Sequence, residues 1–95
     1  MVTNNLLIKL KERDKENIQK VKDALLSMKG KIDVLHSIQV EANIRQGAGS
    51  YDILLMTHFF PLEDMETYLI HPLHVEIAKY IVEVMDSSAS VCYES

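Results

Sequence analysis

By its hydrophobic and polar positions the chain divides into four short alternating runs and three stretches with helical spacing. Asn5 to Leu10 (NLLIKL) alternates, placing Leu6, Ile8 and Leu10 on one face and Leu7 and Lys9 on the other, as a strand does. Glu12-Arg13-Asp14-Lys15 breaks that pattern, and the Asp14 carboxylate can cap a helix by accepting from its free N–H groups. Ile18, Val21, Ala24, Leu25 and Met28 then recur on one stripe, which predicts a helix over 15–29. Lys29 suits the negative end of that helix, and Gly30 can adopt the left-handed conformation that stops it.

Val34 to Asn43 alternates again, with His36, Ile38 and Val40 opposite Ser37, Gln39 and Glu41. Arg45 to Ser50 is polar and rich in small residues, the composition of a loop between strands. It is no phosphate cradle, because no Lys-Ser or Lys-Thr follows its glycines and a strand comes next. Tyr51 to Phe60 is the most apolar run: Ile53, Leu55, Thr57 and Phe59 share one face, and Leu54, Met56, His58 and Phe60 the other. Two apolar faces call for cover on both sides, by helices on one and by a second subunit on the other.

Pro61 opens a short helix with Glu63 and Asp64 at its positive end and Leu62, Met65 and Leu69 at buried spacing. His71 precedes Pro72 and is biased away from helical angles, so the helix breaks there. Pro72 starts the next helix, with Leu73, Ile77, Ile81, Val84 and Met85 on a stripe that Val75, Ala78 and Val82 widen into a deeply packed face. Asp86-Ser87-Ser88 ends it, and Ala89 to Tyr93 is the last strand. The order β-α-β-β-α-α-β is that of an α+β, ferredoxin-like protomer: a four-stranded antiparallel sheet with helices on one face. Leu7, Leu54, Met56 and Phe60 leave too much apolar surface on the open face for a monomer, which predicts a homodimer joined sheet to sheet.

Ninety-five residues make one domain, over residues 1–95, and a chain so short gains from burial in an oligomer. The net charge of −4 argues against nucleic acid as a partner, and the lysines of the first third alternate with acids as on a solvated helix face. Cys92 is the single cysteine, so neither an internal disulfide nor a four-cysteine zinc site is possible. With no apolar run long enough to span a bilayer and no signal-peptide pattern, the expectation is a soluble, cytoplasmic protein.

The chemistry concentrates in Tyr68-Leu69-Ile70-His71-Pro72-Leu73-His74. An imidazole can act as a base near neutral pH, and a nearby phenol can orient it or polarise a carbonyl, so His74 and Tyr68 are the catalytic candidates. The competing reading makes His74 a packed helix-start residue, Tyr68 a core aromatic, and His71 a donor to the carbonyls left free at a helix end. His71 and His74 have metal-ligand spacing but no evident third ligand, and no axial ligand for haem stands out, so no metal and no cofactor is expected. His36 and His58 would face the subunit interface, where protonation could weaken the dimer. Cys92, with apolar neighbours, reads as an inert buried thiol.

Ser50-Tyr51-Asp52 at the third strand, Leu62-Glu63-Asp64 at a helix start, Tyr68-x-x-His71-Pro72-x-His74, Asn43 and Tyr93-Glu94 together resemble the stress-responsive A/B barrel family over nearly the whole chain. The resemblance implies a dimeric α–β barrel with a small pocket between sheet and helices. Carried onto this chain, that pocket is lined by Asn4, Leu6, Ile8, Ile53, Leu55, His71 and Cys92 beside Tyr68 and His74. In a polyketide aldol cyclase of this kind Tyr68 and His74 match the pocket tyrosine and the catalytic histidine. Asn4 and Ile53 stand where that cyclase has histidines, and Cys92 where it has the aspartate that supports the base. A base without its carboxylate is weaker. The resemblance therefore points to a dimer that binds a small apolar molecule, or to a cyclase, isomerase or cofactor-independent monooxygenase with His74 as base.

Overall fold

A computed structural model describes residues 1–95. The elements are β1 (Val2–Leu10), α1 (Lys15–Leu26), β2 (Ser37–Ala42), β3 (Ile53–Phe59), α2 (Leu62–Leu69), α3 (Pro72–Val84) and β4 (Met85–Glu94). The strands form one antiparallel sheet in the order β2-β3-β1-β4, the ferredoxin-like arrangement that the element order predicts. No helix is long and apolar enough to cross a membrane.

The core follows from the alternation. Ile8 and Leu10 of β1, Ile38 and Val40 of β2, and Ile53, Leu55 and Phe59 of β3 turn toward the helices, where Ile18, Val21, Leu25, Ile77 and Ile81 meet them. Each such side chain stabilises the fold by about 1.5–3 kcal/mol relative to exposure. Asp14 caps α1 as expected, accepting from the Asn17 N–H at 2.8 Å.

Several boundaries move, each for a physical reason. The first helix stops at Leu26 rather than at residue 29, and turns bonded three residues back continue from there, which still carries Met28 and Ile32 into the core. Gly30 does take a positive φ of 75°, but within that turn and not directly at the helix end. The strands β2 and β3 are shorter at both ends than their alternating patterns. The first strand instead reaches back to Val2, and the last begins at Met85, so Asp86-Ser87-Ser88 is strand. The long β1 flank pairs with β4 from Val2↔Glu94 to Lys9↔Ser87 and, after a register shift that skips Asp86, at Leu10↔Met85, and backbone pairing holds an edge strand without apolar side chains.

The second helix is rotated from its expected face. Leu62 and Leu69 are 50% and 41% exposed, whereas Tyr68 is 2% exposed. The larger ring takes the buried position against Phe59, their centroids 5.1 Å apart. On α3 the inward stripe is narrower than expected, because Val75 and Val82 are exposed.

The opposite sheet face has no helix over it. Leu54 and Met56 are half-buried there, Leu7 is exposed, and Val91 and Tyr93 of β4 extend the apolar surface. Phe60, just past the end of β3, is 59% exposed and meets the His36 ring edge-on, centroids 4.5 Å apart. His58 belongs to the open face, with Nδ1 2.8 Å from Ser37 Oγ, while the His36 N–H donates to the His58 carbonyl.

Candidate functional site

The break between α2 and α3 builds the site. His71 stays extended (φ −63°, ψ 135°) because the proline ring excludes helical angles before it, and it becomes the N-cap of α3. Its Nδ1 accepts from the Leu73 N–H at 3.1 Å. The expected donation from His71 to carbonyls at the end of the preceding helix is therefore not its role: it is an acceptor at the start of the next one. That donation belongs to His74, whose Nδ1 lies 3.0 Å from the Leu69 carbonyl. A carbonyl only accepts, so the proton is on Nδ1, and the neutral ring keeps its lone pair on Nε2. Burial lowers the His74 pKa; the Leu69 hydrogen bond works against that, and a charge on His71 would add to the lowering.

Tyr68 packs against the His74 ring with centroids 4.5 Å apart, and its hydroxyl donates to Met28 Sδ at 3.8 Å. Burial pushes its pKa up to about 12, so it keeps its proton at any physiological pH. Ring contact, and not a hydrogen bond, is how Tyr68 touches the imidazole.

Between the sheet and α3 lies a cavity of about 180 Å³, with Leu6, Ile8, Leu55, Tyr68, His74 and Ser88 among its walls. Most of the remaining lining is aliphatic, from α1 and α3. Of the residues expected around a ligand, Leu6, Ile8 and Leu55 thus meet Tyr68 and His74, and four do not. His71 is committed to its cap. Ile53 lines a separate hollow with Tyr51 and Asn43 near the β2–β3 loop. Asn4 lies one row along the sheet, paired with Thr57 on one side and Cys92 on the other. Cys92 is exposed on the edge strand, and not buried as expected, with its thiol 3.6 Å from Met65 Sδ. No three His, Cys, Asp or Glu side chains converge to hold a metal ion.

Two buried polar groups escaped the sequence reading. Asp52 is fully buried at the head of β3, where its carboxylate accepts from the Leu10 N–H at 2.9 Å and from Arg13 Nε at 3.0 and 3.2 Å. Arg13 also donates to the Gly47 and Ser50 carbonyls, tying the loop to β1. An acid heading the most apolar run was the available signal. Thr57 is 1% exposed on β3, and its Oγ1 has no hydrogen-bond partner. Its place in the alternation showed that it faces inward; nothing in the sequence showed that it lacks a partner.

The comparisons with known proteins agree with this architecture. The family model of the stress responsive A/B barrel domain matches residues 2–95. No curated protein is similar enough to count as a relative. A dimeric protein of unknown function and ferredoxin-like fold from Bacteroides fragilis is 31% identical, with a TM-score of 0.82 over 99% of this chain and 95% of that one. A dimeric ferredoxin-like protein of unknown function from Thermobifida fusca is 18% identical, with a TM-score of 0.86 over 99% and 90%. The hydroxynitrile lyase of Passiflora edulis shares the fold, with a TM-score of 0.83 over 97% and 90%, at 11% identity. With one family model spanning residues 2–95 and the fold shared throughout, the chain belongs to the stress responsive A/B barrel domain family.

Proposed function

We propose that the protein is a homodimer that binds a small, largely apolar molecule in the cavity between sheet and α3. The observation that carries this reading is the cavity itself: about 180 Å³ of mainly aliphatic wall with one imidazole in it. An engineered apolar cavity of about 150 Å³ binds benzene, so this volume suits a ligand of that order of size. The dimer is supported by the uncovered apolar face and by the dimeric relatives, and its partner is a second copy placed over Leu7, Leu54, Met56, Val91 and Tyr93.

A second reading is favoured by one specific feature, the Nδ1–H held by the Leu69 carbonyl. It directs the basic Nε2 of His74 away from the backbone, which suits removal of a proton from a bound hydroxyl or activated C–H group. Tyr68 would then hold the ring in place by packing.

A thermal-shift and mass-spectrometric ligand screen on the wild type and on His74→Ala tests both readings. A ligand that raises Tm in the wild type and loses affinity in the variant supports the binding reading. Turnover of that ligand, abolished in the variant, supports the enzyme. If no ligand is retained and His74→Ala loses only stability, both fail.

A further inference from the structure

The row His74, Ala78 and Val82 on α3 borders two hollows at once. Its members are four residues apart and therefore stand one above another on one side of the helix. On the inner side of the row, Ile77 and Ile81 continue the wall of the cavity between sheet and α3. On the outer side the same three residues meet a second, more open hollow of about 450 Å³. Its other walls are Leu69, Val75, Lys79 and Glu83.

Ala78 has only a methyl group for a side chain, so it is the low point of the row, between an imidazole and a valine. The outer hollow is also where Leu69, Val75 and Val82 stand exposed, aliphatic side chains that the fold leaves uncovered. His74 Nδ1 is taken by the Leu69 carbonyl, so the atom left to a ligand is the Nε2 acceptor. A hydrogen-bond acceptor thus stands between two apolar spaces and not at the end of one.

We propose that the ligand is an open-chain molecule with a hydrogen-bond donor inside the chain, lying across Ala78 with its donor at His74, one apolar arm in the inner cavity and the other in the outer hollow. The proposal rests on the cavity being a binding site, as proposed above, and names the shape of what it takes. A compact molecule with one polar end uses the inner space alone, which by volume holds about as much as one benzene ring. A chain with its donor at one end either fills a single hollow or gives up the hydrogen bond. Only an internal donor keeps the bond and covers both sets of aliphatic side chains.

Two isomeric alcohols and phenol provide the test. Nonan-5-ol has its hydroxyl between two butyl arms, nonan-1-ol has it at the chain end, and phenol is compact. Dissociation constants are measured by NMR titration for the wild type, His74→Phe and Ala78→Leu. The wild type is expected to prefer nonan-5-ol to nonan-1-ol by about fivefold, the scale of one net hydrogen bond. His74→Phe keeps a ring but no acceptor, and should bind the two isomers equally. Ala78→Leu raises the low point of the row, and should weaken nonan-5-ol about tenfold more than it weakens phenol, because the outer arm loses its seat. If the leucine variant does not fold, the isomer preference in the wild type and His74→Phe decides. Phenol binding with no preference between the isomers, or a preference that survives in His74→Phe, overturns the two-armed ligand and leaves the cavity reading standing. Failure of all three probes to bind the wild type overturns both.

Discussion

Two places in this protein bring polar side chains into an apolar interior, and they use them in opposite ways. At the Arg13–Asp52 corner the donors and acceptors are spent on one another: both carboxylate oxygens accept, and Arg13 also donates to two loop carbonyls. Around Tyr68 and His74 capacity is left over. One hydroxyl meets only sulfur, and an imidazole has one nitrogen bound to the backbone and a lone pair on the other. A saturated polar cluster fixes a shape, and its parts are worth most together. An unsaturated one costs stability, which is what a site that must still accept a ligand is expected to do.

The contrast can be broken first at the corner, where the largest effect is expected. Asp52→Ala leaves the Leu10 N–H and Arg13 without their acceptor and should cost about 3 kcal/mol, measured by urea denaturation. A cost below about 1 kcal/mol would show that the corner is not the stabilising cluster it resembles.

Acid should act at the junction. His74 has a lower pKa in the folded chain than the ordinary 6.5, so below that value the unfolded chain takes up the proton first. Stability from this group is complete above about pH 6.5 and is lost as the pH falls through the folded pKa. The slope of Tm against pH on the acid side should therefore be shallower in His74→Gln than in the wild type. Identical slopes would mean that the ring is solvated in both states. At the alkaline end Tyr68 works in the other direction. With its pKa raised to about 12, its contribution is full below about pH 10 and fades above that. Ultraviolet titration should show one tyrosine lagging behind the rest, and Tyr68→Phe should remove the lag.

The smallest effect sharpens the comparison most. Tyr68→Phe deletes a hydroxyl whose only partner is a thioether, so the stability change should stay within about 1 kcal/mol. A loss of 2 kcal/mol or more would move Tyr68 into the same class as Asp52.

Much of this was legible in the chain. Period-two alternation assigned the inward residues of β1, β2 and β3, Asp14 announced its helix, and His71-Pro72 announced the break between α2 and α3. The family followed from the junction motif and its order among the elements. The rotation of α2 was not legible, because Leu62, Met65 and Leu69 make as good a stripe as Met65 and Tyr68, and only the neighbouring Phe59 and His74 rings decide between them. The first residues of β4 were hidden for a similar reason, since a polar edge strand is held by its neighbour's backbone.

The sequence by itself determined the elements and which side chains face inward, because periodicity is a local property of helix and strand. Only the tertiary structure decided who meets whom. It exchanged the roles expected of the two histidines, left Asn4 and Cys92 outside the cavity wall, and buried the Thr57 hydroxyl without a partner. Hydrogen bonds are settled by distance and direction in space, and neither is written in the spacing of residues along a chain.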